Sequence, residues 1–182
     1  YEGDNADSTE ALDRLLSDPS SGIDMPAAVI VECIQGEGGL RAAGAEWLRN
    51  LEKVCRKHGV LLIADDIQAG CGRSGDYFAF EEAGIKPDMI TQAKSISGFG
   101  LPFAMVLVKR EHDIFKPAQH NGTFRGNNHA FVTGKVALEK FWKDDSFSKS
   151  VKAKGQLLRQ RFEAMAERYA KEGDLSLRGR GL

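Results

Sequence analysis

Four short apolar runs, at residues 27–31, 60–64, 89–91 and 104–108, constrain this chain more than any other feature of it. Each is too short for a buried helix, and the first three close directly on a cluster of polar residues. The first, second and fourth are near-continuously apolar, which predicts strands buried on both faces of a sheet. Between the first two, Trp47, Leu48, Leu51, Val54 and Cys55 recur at helical spacing over 45–58, and Gly59 supplies a stop. Strand, helix and strand in that order predict a βαβ unit. A helix over 7–16, with Asp7 as N-cap, precedes it, and residues 19–22 read as a loop. Two further helices are predicted over 129–142 and 146–171. In the second, Phe147, Val151, Leu158, Phe162, Met165 and Tyr169 form a stripe expected to belong to the core. The fold class is α/β.

The chain has 182 residues, and domains typically run to about 100–150, so a single core is expected. Lys and Arg number 25 against 26 Asp and Glu, a net charge of −1, which argues against nucleic acid and other polyanions as partners. No apolar run approaches the length of a membrane span, and the first residues have neither the basic nor the apolar region of a signal peptide. Cys33, Cys55 and Cys71 are odd in number and widely spaced, which argues against a disulfide framework and a zinc site and predicts a reducing, cytoplasmic setting. The opening Tyr1, and a final stretch from Leu175 to Leu182 that reads as the start of a strand, predict a piece of a longer protein.

In open α/β sheets ligands collect at the carboxyl ends of the strands. Here the first run leads into Glu32, Cys33, Ile34, Gln35, Gly36 and Glu37, the second into Asp65, Asp66, Ile67 and Gln68, and the third into Gln92, Ala93, Lys94 and Ser95. An aspartate and a lysine brought to one sheet edge serve equally as a buried ion pair, a metal-assisted site or a Schiff-base site. Position alone also allows Asp65 or Asp66 to cap a turn while Lys94 reaches solvent. Residues 70–75 match the dinucleotide pattern G-x-G-x-x-G, but five residues separate them from the strand, whereas a true fingerprint occupies the strand-to-helix turn. A Walker A loop fails because Asp88 and Ala93 stand where glycines are required before Lys94 and Ser95. The four histidines lack zinc spacing, so no metal is expected.

Taken together, residues 64–75, then Pro87 and Asp88, then Lys94 twenty-nine residues after Asp65, resemble the class III pyridoxal-phosphate aminotransferases. Residues 32–37 and 121–124 match two further segments of that family in the expected order. Within the class, the Asp-Asp-Ile-Gln-Ala-Gly-Cys-Gly-Arg segment and residues 120–128 are most similar to the branch that uses L-2,4-diaminobutyrate and 2-oxoglutarate. Asp66 replaces a more frequent Glu, Cys33 a frequent Pro and Arg125 a frequent Gly; the first and third fit that branch.

The resemblance implies part of the large domain of a fold-type-I transferase, with a mixed, mostly parallel sheet flanked by helices. Residues 1–145 correspond to the second half of the cofactor-binding domain, and 146–182 to an interdomain helix and the start of a small C-terminal domain. It implies pyridoxal 5'-phosphate as cofactor. Lys94 is implied as the Schiff-base lysine and proton carrier, Asp65 as partner of the pyridine nitrogen, Ile67 as packing on the ring and Gln68 as bonding its phenolic oxygen. Thr123 is implied to reach the phosphate at a neighbouring subunit, hence a homodimer, while Glu32 and Glu37 are implied on the substrate side. The implied reaction moves the 4-amino group of diaminobutyrate to 2-oxoglutarate, giving aspartate 4-semialdehyde and glutamate, for ectoine synthesis. Alternatives are a class III enzyme of the 4-aminobutyrate or ornithine type, or a non-catalytic large-domain fragment. Because the main phosphate loop, the stacking aromatic and the carboxylate-binding arginine are expected elsewhere, residues 1–182 alone are expected to be inactive.

Overall fold

The computed structural model describes residues 8–169, 173 and 177–182. Its order is α1 (Ser8–Ser17), β1 (Ala28–Glu32), α2 (Ala45–His58), β2 (Leu61–Asp65), β3 (Met89–Gln92), β4 (Met105–Val108), α3 (Asn128–Phe141) and α4 (Ser146–Tyr169). Short 3-10 turns at Glu81–Ala83, Lys94–Ser97 and Arg110–His112 link these elements. The strands form one sheet in the order β1-β2-β3-β4; β1, β2 and β3 run parallel and β4 antiparallel, so the sheet is mixed and mostly parallel.

The βαβ unit forms as the apolar spacing requires. Leu48, Leu51 and Cys55 of α2 are buried against Leu62 and Ala64 of β2 and against Phe80 and Ile85 from the segment that follows. At the end of α2, Gly59 adopts φ +67°, its N–H reaches the Arg56 carbonyl, and the Val60 N–H reaches that of Cys55. This double bond pattern closes the helix and needs a left-handed residue at Gly59. At the other end of the helix Trp47 donates its indole N–H to Ser8 Oγ at 3.0 Å, tying α1 to the unit.

Two expectations fail for the same physical reason. Ile30 of β1 is 60 % exposed and Val106 of β4 54 % exposed, while β2 buries Leu62 and Ala64 but leaves Leu61 and Ile63 half-buried, so none of the three is fully buried on both faces. Along α4, Val151 is buried and Phe147 half-buried, but Leu158, Phe162, Met165 and Tyr169 are exposed. In both places an apolar face lacks a covering element among the described residues. The predicted N-cap Asp7, the last two residues of the predicted final helix and the strand start at Leu175 lie outside the described residues. No described helix is long and apolar enough to cross a membrane.

The amino end of the sheet is tied together by one residue. Buried Asp88, just before β3, accepts from Arg56 Nη1 at 2.5 Å, from Lys109 Nζ at 2.7 Å and from the Leu62 N–H at 2.8 Å. These donors come from α2, from the end of β4 and from β2, so a single carboxylate joins three elements.

Candidate active site

At the carboxyl end of the sheet, parallel register sets Glu32 beside Asp65 and Asp65 beside Thr91. Asp65 Oδ1 accepts from the Ile67 N–H and from Thr91 Oγ1, each at 3.1 Å. The first bond is a local turn bond of the kind short acidic side chains make; the second fixes the carboxylate to the neighbouring strand. Both bonds that Asp65 accepts among the described residues fall on Oδ1, so Oδ2 is not engaged by them.

The loop after β1 adds the acidic residues. Glu32 Oε2 accepts from the Gly36 N–H at 3.1 Å, and Gln68 Nε2 donates to Glu37 Oε1 at 3.4 Å. A β-carbon on Gly36 would lie 2.6 Å from Gln68 Cδ, so glycine is what lets this loop pass the Gln68 amide. The structure therefore joins Gln68 to Glu37, and brings Glu32, Asp65 and Ile67 to the same end of the sheet.

Lys94 leaves the same edge three residues beyond Thr91. It has φ +53°, a left-handed backbone in a residue with a β-carbon, which costs on the order of 1–3 kcal/mol. Packing supplies the restraint. Ser97 Oγ donates to the Lys94 carbonyl at 3.3 Å, and α3 presses on the turn through small residues. A β-carbon on Gly134 would sit 3.0 Å from the Ile96 carbonyl oxygen, and one on Gly98 would sit 2.6 Å from Ala137 Cβ. The close approach of α3 thus depends on glycine on both sides of the contact. Lys94 is exposed and faces an open groove of about 630 Å³ shared with Ser95, Phe99 and Phe103.

Thr123 does not join this group. It is exposed in a turn closed by the Arg125 N–H on the Gly122 carbonyl, and no hydrogen bond among the described residues links it to the others. Conversely, sequence reasoning passed over Thr91, whose place opposite Asp65 follows from register, and gave Asp66 only a capping role. Asp66 is 2 % exposed; Oδ1 accepts from the Ala79 N–H at 3.1 Å, and Oδ2 is buried without a partner among the described residues. Burial pushes its carboxyl up to about 7, with the charges of Asp65 and Glu81 acting in the same direction. The signal for Asp66 was alternation: in a strand ending at Asp65, the next residue turns inward.

The sequence and the fold match a known family. The class III aminotransferase profile matches residues 3–182, and the chain belongs to that family. It is 55% identical over 182 residues to a diaminobutyrate–2-oxoglutarate transaminase of Bordetella parapertussis, covering 100% of this chain and 42% of that relative. It is 52% identical over 183 residues to the Halomonas elongata protein of the same name, covering 44% of it. Among solved structures, ornithine aminotransferase from Toxoplasma gondii, described with partial occupancy of PLP at its active site, superposes with a TM-score of 0.81 at 31% identity, over 98% of this chain and 41% of that one. The chain therefore spans less than half the length of these proteins. Family membership indicates pyridoxal phosphate as cofactor. The residues present suit that group: a primary amine opens on a groove at Lys94, and Asp65 presents a carboxylate oxygen not engaged by its neighbours.

Proposed function

We propose that the protein to which these residues belong is a pyridoxal-phosphate-dependent transaminase that moves the 4-amino group of L-2,4-diaminobutyrate to 2-oxoglutarate. The observation that carries this reading is the shared sheet edge. Asp65 is fixed by Thr91, and Lys94 opens the turn that follows Thr91's strand, on strained backbone. Identities of 50–55% to several proteins named diaminobutyrate–2-oxoglutarate transaminase support the choice of substrates.

Lys94 would hold the cofactor through its amine, and its Nζ would carry a proton to and from the substrate. Asp65 keeps a negative charge facing the pyridine nitrogen, and Gln68 and Ile67 orient the ring. Bound pyridoxal phosphate supplies the electron sink that makes the amino-bearing carbon acidic. Glu37, tethered to Gln68, sits on the substrate side with Glu32 and distinguishes an amine-bearing side chain from the second carboxylate of 2-oxoglutarate. Thr123, standing clear of this group, serves the site of a second subunit, which makes the working enzyme at least a homodimer.

In this reading residues 1–145 belong to the cofactor domain and 146–182 lead into the small domain. The physiological role is ectoine synthesis, in the cytoplasm, where the three free cysteines fit a reducing compartment. Borohydride reduction of the full-length holoenzyme, followed by peptide mapping, tests the reading. The expected adduct is on Lys94, and an adduct on Lys109 or Lys116 overturns it. A panel of diaminobutyrate, 4-aminobutyrate and ornithine as donors then tests the substrate.

A further inference from the structure

Residues 177–182 lie against the segment between β2 and β3 and reach into it through one side chain. The Leu182 N–H donates to the Arg73 carbonyl at 2.9 Å, and Arg159 Nη2 holds the Gly179 carbonyl at 2.9 Å. Between them, a β-carbon on Gly181 would lie 2.7 Å from Ser74 Cα, so the returning backbone lies directly on the 70–75 loop. This close approach delivers Arg180. Its Nη1 pairs with Glu82 Oε2 at 2.7 Å, and its Nη2 donates to the Ala79 carbonyl.

Ala79 is thereby held at both of its backbone groups. Its carbonyl takes Arg180, while its N–H is taken by Asp66 Oδ1. Asp66 in turn belongs to the cofactor edge: its own N–H donates to the Thr91 carbonyl at 3.0 Å, and it directly follows Asp65. The turn is shaped around its carboxylate, since a β-carbon on Gly70 would sit 2.8 Å from Asp66 Cγ. Among the described residues, two buried polar atoms of this group, Asp66 Oδ2 and Arg180 Nε, have no hydrogen-bond partner. Buried polar groups left without a partner carry a desolvation cost.

We infer that Asp66 and Arg180, gripping the two backbone groups of Ala79, form a positioning pair that sets the Asp65–Gln68 turn for the cofactor from the segment following α4. The inference rests on the functional reading above, because it concerns how firmly Asp65 and Gln68 are presented to pyridoxal phosphate. Neither Asp66 nor Arg180 touches the reacting atoms. Their effect passes through Ala79 and the Asp66 backbone to Thr91 and Asp65.

The test is a double-mutant cycle on the full-length protein. Apoenzyme is titrated with pyridoxal phosphate and the visible absorption of the bound cofactor is followed, with the thermal midpoint of each apoprotein recorded beside it. Asp66→Ala and Arg180→Ala are each expected to weaken cofactor binding by about tenfold, and the double variant to be no weaker than about threefold beyond either one. Asp66→Asn, which keeps an acceptor for the Ala79 N–H, and Arg180→Lys, which keeps a donor to its carbonyl, are expected to restore most of the affinity. Unchanged affinity in Arg180→Ala, or losses that multiply in the double variant, overturn the inference. So do losses that merely track the thermal midpoints. Should Arg180→Ala fail to fold, Arg180→Gln enters the cycle with the same criteria. Borohydride mapping of the same preparations separates the two failures. Trapping at Lys94 with no coupling between positions 66 and 180 removes only the positioning pair, whereas trapping elsewhere removes the functional reading itself.

Discussion

Two buried aspartates sit at opposite ends of the same sheet, and they are treated in opposite ways. Asp88, at the amino end, collects Arg56, Lys109 and the Leu62 N–H, and His112 Nε2 stands 3.7 Å away. Although burial works against it, these donors hold its carboxyl well below the usual range. Asp66, at the carboxyl end, receives one backbone N–H and has an oxygen without a partner among the described residues, so burial prevails and its carboxyl rises. An end whose polar groups are saturated is built for stability. The other end holds strained Lys94, an Asp65 engaged on one oxygen and an under-paired Asp66, and it keeps bonding capacity in reserve for something that binds there.

The largest expected effect breaks the carboxyl end chemically while leaving the fold alone. In the full-length protein, Lys94→Ala removes the amine proposed to carry the proton, and the proposed transamination is expected to fall by about 10²–10⁴-fold or more, with far-ultraviolet circular dichroism unchanged. Full turnover in that variant would remove Lys94 from the mechanism. Next comes Asp65→Asn, which keeps the Thr91 and Ile67 bonds but loses the charge; kcat is expected to drop about a hundredfold with little change in the melting temperature. A loss confined to stability would move Asp65 from the chemistry to the scaffold.

The amino end should behave in the reverse sense. Asp88→Ala strands the buried Leu62 N–H and removes the partner of two cations, which is expected to cost about 3 kcal/mol in urea denaturation. Because the folded state lowers the Asp88 carboxyl below its ordinary 3.8, its contribution is present above that value and is lost as pH falls below it. Residual enzyme that remains folded should keep its kcat. A kcat loss exceeding the loss of folded protein would contradict the division between the two ends.

Much of this was legible in the residues. The α2 stripe ending at Gly59 and the polar strand ends are local patterns, and local patterns survive tertiary context when burial agrees with them. The exposure of β1 and β4 and the outer half of α4 was not legible, because an apolar face reads the same whether or not the described residues cover it. Asp65 and Lys94 could be named from strand-end position together with family likeness. Thr91 required register, and Arg180 required the chain to return across more than a hundred residues to Ala79, a contact that no periodicity encodes. The burial of Asp66 was legible from strand alternation, but its bond to the Ala79 N–H was not, because that partner lies thirteen residues further along the chain.

The smallest expected effect is the most direct probe of Asp66. Its folded carboxyl titrates near 7 against 3.8 for an unhindered one, so the folded state binds a proton that the unfolded state has already released in between. Stability from this group is therefore complete below 3.8, declines as pH rises towards 7, and is flat above it. The groups around it are fixed participants: Asp65 and Glu81 raise it and Arg180 lowers it, while Cys33, Cys71 and Tyr77 feel its charge. Asp66→Asn keeps the bond to Ala79 and abolishes the titration. The variant should therefore match wild type near pH 4 and exceed it by about 1–2 kcal/mol near pH 8, a gain limited because the Arg180 segment can lift and rehydrate the charge. The check is the unfolding free energy of both proteins across that range. A variant less stable than wild type at pH 8 would mean that ionised Asp66 is a net stabilising partner of Arg180, and the contrast with Asp88 would collapse.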